Sequence, residues 1–356
     1  RPRQTTRRGP DRAGAPGAPG PVERQAGRVA QPLGVPRQST GQEGREQPLP
    51  RLAFQVPDRA GLPPLERYAQ LHLPDGSQRV VGYTEATRGC KHTCRHCPIV
   101  PIYGGQFRVV PAEVVLADIR QQIASGARHI TFGDPDFLNG PTHALRIAEA
   151  LHREFPEVSF DATIKIEHLL RHAPLLPRLR ALGCVLVTSA VESFDDAVLV
   201  RLDKRHTAAD FSRVLDLTRA SGLALNPTFV SFTPWTTPES FAAMLAAIAA
   251  ADLVEQVAPV QYGIRLLLPP GSPLLDLPES PAWRGSFDPD ALSYTWRGPA
   301  DALCAEAQAL VARATKQGRP RVEIFDAVAD LVGGVRRPPA AMPRATIPYL
   351  DEPWFC

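Results

Sequence analysis

A chain of 356 residues with 44% hydrophobic and 22% charged side chains is long enough for one large domain or two ordinary ones, which excludes a small disulfide-stapled scaffold. The net charge of +3 is unevenly held. Residues 1–50 carry 9 Arg against 4 acids, so the remaining 306 are mildly acidic at −2 and offer no compositional case for a nucleic-acid partner.

Taken in chain order, residues 1–50 come first, with 9 Pro and 8 Gly, and cannot bury enough surface to offset the entropy of ordering. They predict a disordered arm, and their dispersed arginines argue against a basic nucleic-acid tail. The arm opens on Arg1 rather than Met, which points to a start upstream or a misplaced start codon. From about residue 78 a strand-helix rhythm begins. A strand over 79–87 leads into a cysteine-rich loop. A helix follows from Pro111 to Gly126 with Val115, Ile119 and Ile123 on one stripe. Next come a strand at 129–133, a helix over 142–155, a strand at 158–166, and a helix to Ala181 that Pro174 and Pro177 should kink or split. A fourth strand covers 184–191, a helical pair 195–204 and 207–221, a fifth strand 223–232, a helix 238–252, and a sixth strand lies within 257–268. The longest near-apolar run, Phe241 to Ala251, falls in that last helix. It is well short of the roughly 18 to 20 residues of a membrane span, which predicts a soluble protein with no membrane partner. Six strand-helix units argue for a parallel α/β sheet, either doubly wound or a complete or partial barrel, with functional groups at the carboxyl ends of strands. Beyond Pro270 two more helices, 299–317 and 322–332, form a C-terminal extension.

Of six cysteines, Cys90, Cys94 and Cys97 crowd into eight residues in C-x3-C-x2-C spacing, while Cys184, Cys304 and Cys356 stand far apart. This is no secretory framework and favours a reducing, cytoplasmic setting. Three thiolates on one loop can face a single metal centre. Zinc would need His92 or His96 as a fourth ligand, whereas a cubane iron-sulfur cluster held by three cysteines leaves one iron open. No second cysteine pair lies a dozen or more residues away, as zinc sites usually require. Cys184 and Cys304 fall in strand and helix patterns and read as inert core thiols.

At TRGCKHTCRHCPIVPIYGG the chain resembles the radical SAM enzymes, whose hallmark is C-x3-C-x-aromatic-C after the first strand of a partial (β/α)6 TIM-like barrel. The resemblance covers about residues 80–275 and implies a [4Fe-4S] cluster on Cys90, Cys94 and Cys97, with S-adenosylmethionine on the fourth iron. His96 fills the aromatic slot, near the adenine in the family. FGDPDF stands where the family carries Gly-Gly-Glu and makes Gly133 and Asp134 cofactor contacts, although it departs from that pattern. The stretch SAVESFDDAVLVRLDKRHT implies ribose or methionine contacts at Ser189 and Glu192; Glu192 could equally favour the following helix N-terminus by its charge. Thr163, Lys165 and Glu167 alternate, so if their face is the barrel interior Lys165 is a catalytic candidate in the substrate cavity. Arg265 is a similar candidate on the sixth strand, and Trp235 is either core or substrate lining. The resemblance further implies reductive cleavage of S-adenosylmethionine to a 5′-deoxyadenosyl radical, hydrogen abstraction from an unknown substrate, and a flavodoxin or ferredoxin-type electron donor.

The ending AMPRATIPYLDEPWFC resembles a radical SAM subgroup whose tail reads Cys-Cys-Ala-Glu-Pro or Cys-selenocysteine-Ala-Glu-Pro. On that resemblance Cys356 is the tail's first residue, with a UGA selenocysteine codon read as stop, and its thiol joins the chemistry. The expected organisation is an arm at 1–50, a core at 78–275, a helical extension at 276–335 and a tail at 336–356. Two rival readings stay open: a methylthiotransferase-like modifier of RNA or protein, and a non-catalytic zinc or iron-sulfur module.

Overall fold

Local chemistry sets where each element starts and stops. The computed structural model describes residues 52–335 and 347–351, so the expectations for the arm at 1–50 and for Cys356 lie outside the described residues. Strand β1 (Gln70–His72) pairs antiparallel with β2 (Gln78–Thr84). After the cysteine loop, helix α1 (Ala112–Ala124) starts behind Pro111 and ends before Gly126 at φ 104°, a left-handed position that suits glycine. Strand β3 (His129–Phe132), helix α2 (Pro141–Glu154) and strand β4 (Ser159–Thr163) follow. The prolines split the next helix into α3 (Ile166–Arg171), a 3-10 turn at Ala173–Leu175 and α4 (Leu176–Ala181). Then come β5 (Cys184–Glu192), α5 (Asp196–Arg201), α6 (Ala208–Ala220), β6 (Ala224–Phe229) and α7 (Pro238–Ala250). Thr207 and Thr237 cap α6 and α7 through reciprocal capping boxes.

Strands β2 to β6 pair in parallel and in sequence order, giving the nearly closed α/β barrel sheet expected from the strand-helix rhythm. The sixth strand is a correction. Pro259–Gly263 forms a 3-10 turn, and parallel contact with the sheet shrinks to one bridge between Phe232 and Arg265. Proline and glycine within that run remove a ladder donor and favour the turn. Two further features were not anticipated. Strand β1 and the short β7 (Tyr349–Leu350) extend the sheet beyond β2, with Asp351 accepting from the Gln70 N–H at 2.7 Å. Helices α8 (Asp301–Lys316) and α9 (Arg321–Asp330) also bury Cys304, Ala307, Val311, Ile324 and Phe325 in the main core, so the C-terminal helices are packed into the hydrophobic interior.

One face of the sheet sends Ile130, Phe132, Phe160, Ala162 and Val187 into the core beneath the helices, where Ile119, Ile147 and Leu151 meet them. The alternate positions carry a buried polar group. His129 contacts Ser159 Oγ at 2.7 Å through Nδ1 and Asp161 at 2.8 Å through Nε2, and Thr131 donates to the same carboxylate. Removing one member strands the others away from water. His129→Ala is therefore expected to cost about 3 kcal/mol in denaturant unfolding, where an ordinary surface substitution stays within about 0.5 kcal/mol.

Candidate active site at the carboxyl end of the barrel

The cysteine loop is shaped by glycine. Gly89 sits at φ 86°, and a Cβ there would lie 2.5 Å from the Tyr103 ring and 2.6 Å from the Gln106 carbonyl, so the residue before Cys90 has no room for a side chain. The loop is tied down at several points. The Arg95 N–H donates to the Leu202 carbonyl at 2.9 Å and its guanidinium to the Val200 and Arg201 carbonyls, a cation on the C-terminal end of α5. Asn139, buried after β3, accepts from the Lys91 N–H at 3.4 Å, donates to the Gly89 carbonyl at 3.3 Å and lies 3.7 Å from the Cys90 sulfur. Asp134 accepts from Ala86 N–H, Thr87 N–H and Thr87 Oγ1 at 2.5 to 2.8 Å, fixing the chain as it enters the loop. Burial pushes Asp134 up to about 6 despite those bonds.

The donor set fits the expected cluster. Cys90, Cys94 and Cys97 are free thiols that feel one another's charge; burial raises Cys90 to about 11 and raises Cys97 as well. Metal must displace those protons. Neither loop histidine stands ready as a fourth ligand: His92 is held by Lys165 and His168, and His96 Nε2 lies 2.9 Å from Glu192. Three thiols with no committed fourth donor suit a cubane cluster with one open iron.

The expected site residues separate into two groups. His96 and Glu192 meet, and Lys204, which sequence reasoning missed, completes the trio at 3.1 Å from the same carboxylate oxygen. Burial opposes ionisation of Glu192, but the Lys204 ammonium and His96 outweigh it and hold the carboxyl far below its usual range. Glu192 bears backbone strain at φ 69°, just past a bulge in β5. Lys165 is buried at the mouth, 3.2 Å from both His92 Nδ1 and Glu167 Oε2. Strand β4 stops at Thr163 and Lys165 caps α3, so the expected alternation of Thr163, Lys165 and Glu167 does not persist.

Ser189 sits apart from that group. It is fully buried, shares the face of Val187 and Val191 in the helix-side core, and donates to the Ile164 carbonyl at 2.6 Å. In a strand of period two, only its neighbours Thr188 and Ala190 face the other way. Arg265 is absorbed structurally by Asp301, the Trp296 carbonyl and the Trp296 ring. Trp235 packs edge-to-face on Trp283 beneath the Arg201 guanidinium. Cys184 and Cys304 are core thiols. Gly133 admits the Tyr83 ring, since a Cβ there would fall 1.8 Å from the Tyr83 hydroxyl. Gly133→Val is expected to cost about 1–3 kcal/mol in thermal unfolding, and Tyr83→Ser in the same chain to recover most of it.

Fold and thiol loop define an α/β barrel that carries three free thiols on one loop. Residues 84–245 match the family model described as the Radical SAM superfamily. Members of that superfamily are enzymes that use a [4Fe-4S] cluster and S-adenosylmethionine. The chain is 28% identical over 149 residues to the hopanoid C-3 methylase of Methylococcus capsulatus, covering 40% of this chain and 28% of that protein. It is 24% identical over 224 residues to the ribosomal protein uS12 methylthiotransferase RimO of Geobacter sulfurreducens, covering 55% and 48%. The chain thus spans less than half the length of these curated relatives. Among solved structures, the radical S-adenosylmethionine methyltransferase TsrM from Kitasatospora setae, with cobalamin and a [4Fe-4S] cluster bound, shares the fold at a TM-score of 0.52 and 16% identity, covering 71% of this chain and 61% of that one. No helix among the described residues is long and apolar enough to cross a membrane.

Proposed function

We propose that the protein is a radical SAM enzyme that cleaves S-adenosylmethionine reductively and abstracts hydrogen from a substrate held at the barrel mouth. The observation that carries this reading is the set of three thiols on one loop with no fourth protein ligand committed to them among the described residues. When bound and reduced, a cluster on these thiols would supply the one electron that reductive cleavage of the cofactor's carbon–sulfur bond requires. The chain's own residues do the positioning. Cys90, Cys94 and Cys97 would hold three irons and leave the fourth open to the cofactor, while Asn139 and Asp134 fix the loop. Gly133 presents backbone where a side chain would collide with Tyr83. His96, held by Glu192, would lie on the adenine side, and Lys165, held by Glu167, would face the substrate. The arm, core, extension and tail boundaries of the sequence reading, a cytoplasmic setting and a flavodoxin or ferredoxin-type donor belong to this proposal. Anaerobic reconstitution, reduction and assay for 5′-deoxyadenosine test it; a fully loaded, reduced protein that yields none would overturn it.

Methyl or methylthio transfer is the second reading, favoured by the named activities of the methylase, RimO and TsrM. A methylated or methylthiolated product in place of a simple hydrogen-abstraction product would select it. The subgroup reading of the tail is also a proposal. Sequencing the gene beyond the Cys356 codon should give a UGA codon followed by Ala-Glu-Pro codons, and any other sequence removes it.

A further inference from the structure

Where the sheet begins, the outer edge of β2 is only partly covered. Strand β1 starts at Gln70, and upstream of it Leu65–Arg67 curl into a 3-10 turn, so among the described residues backbone pairing on this edge ends with the Val81 N–H on the Ala69 carbonyl at 3.3 Å. Farther along β2, side chains take the place of a strand. The Tyr83 N–H donates to Gln122 Oε1 at 2.7 Å, and the Tyr83 carbonyl accepts from Gln122 Nε2 at 3.0 Å and from Arg59 at 2.9 Å. With those polar groups satisfied, what the edge still offers is apolar surface. A groove of about 600 Å³ runs along it, walled by Leu62, Leu65, Tyr68, Ala69, Val81 and Tyr83 and reaching Thr131 on β3. Leu62 is 54%, Tyr68 41% and Tyr83 50% exposed, three large side chains gathered on one depression rather than scattered over the surface.

We propose that residues 352–356 of this chain, Glu-Pro-Trp-Phe-Cys, dock in this groove and fill it with Trp354 and Phe355. The register of β7 supplies the direction. Strand β7 is antiparallel to β1, which is antiparallel to β2, so the chain leaving Asp351 runs alongside β2 toward the carboxyl end of the barrel. Asp351 is fastened opposite Gln70: its N–H donates to the Gln70 carbonyl at 3.2 Å, and its carboxylate accepts the Gln70 N–H at 2.7 Å and lies 3.0 Å from His72 Nε2. The residues that follow therefore start beside Ala69 and Tyr68, two walls of the groove. Gln70 pairs with Val80, so Trp354 comes level with Tyr83. Strand alternation gives Trp354 the face of Leu350, which packs with Leu71 and Val81. Pro353 suits this outer position, where no ladder donor is needed. Trp and Phe side chains bury about 150–250 Å² each, and these walls are the apolar surface within reach. Docked in this way, the tail covers the open edge of the barrel and carries Cys356 toward the end that holds the thiol loop.

Neither the cluster nor the subgroup reading of the tail enters, so cluster-free, full-length protein serves for the test. Labelled with fluorotryptophan, it is followed by fluorine NMR, the Trp354 resonance being the one lost in Trp354→Phe. In wild type that resonance should scarcely shift between water and heavy water. Leu62→Asp with Tyr68→Asp, two charges on the exposed rim, should move it to the free-indole position with the full solvent isotope shift. Leu292→Asp, in the exposed turn between Arg284–Asp288 and Ser293–Trp296, should leave it unchanged. Peptide-resolved alkylation is the second readout and alters no barrel residue: Cys356 should react at least about 10-fold faster in Trp354→Ser with Phe355→Ser than in wild type. A full isotope shift at Trp354 in wild type, a shielded resonance indifferent to the rim charges, or equal alkylation rates at Cys356 would each overturn the docking. So would shielding confined to a dimer in sedimentation, which would place a second copy's tail in the groove.

Discussion

Replacing Cys94 with alanine is expected to bring bound iron and 5′-deoxyadenosine formation down to background, while the protein keeps its fold. Cys94 is the middle of three thiols on a loop whose backbone is anchored independently of any metal, by Asn139, Asp134 and the contacts of Arg95 with α5. Removing one thiolate leaves two, which cannot hold a site-differentiated cubane. The contrast is Cys184→Ala. Cys184 is wholly buried on β5 with its sulfur toward the Leu186 carbonyl, so its loss should trim stability modestly and leave iron content unchanged. Iron and sulfide analysis with far-UV circular dichroism on both variants reads the difference.

The second large effect is on stability. Lys204 and Glu192 are a buried pair joined by His96, and Lys204→Met would leave the carboxylate without its ammonium in a dry setting. Breaking one side of such a pair costs about 3–5 kcal/mol. The sign with pH follows from Glu192. Its folded-state pKa is depressed, so the stability it contributes is present above its unfolded value near 4.5 and is lost as pH falls toward the folded value. Wild type should therefore lose stability on acidification below about pH 4.5 more steeply than Lys204→Met does. Lys204→Met with Glu192→Leu should recover much of the loss, since the uncompensated charge is gone. Equal instability of the single and double variants would show that packing, not charge, dominates there.

How much of this was legible in the sequence differs from element to element. The five parallel strands and the cysteine loop were readable because β-branched runs, capping residues and C-x3-C-x2-C spacing are local signals. The sixth strand failed because β propensity in VQYGIRLLL gave no account of Pro259 and Gly263 folding it into a turn. The face of Ser189 was not legible, since the pattern placed a polar side chain near the strand end without fixing which face it takes. Lys204, Asn139 and the contact of His92 with His168 were invisible for another reason. Each becomes a partner only when loops 12 to 76 residues apart are brought together. One local clue existed for Lys204, a lone lysine in the loop that follows α5 by three residues. Strand β7 could not be read at all, because two residues, Tyr349 and Leu350, carry no periodicity.

The central claim is a three-thiolate cluster with one iron left for S-adenosylmethionine, and electron paramagnetic resonance of the reconstituted, reduced protein tests it most directly. The account predicts a reduced-cluster signal that changes shape when S-adenosylmethionine is added and is absent in Cys94→Ala. A fully loaded, reduced cluster whose signal is untouched by saturating S-adenosylmethionine would contradict it.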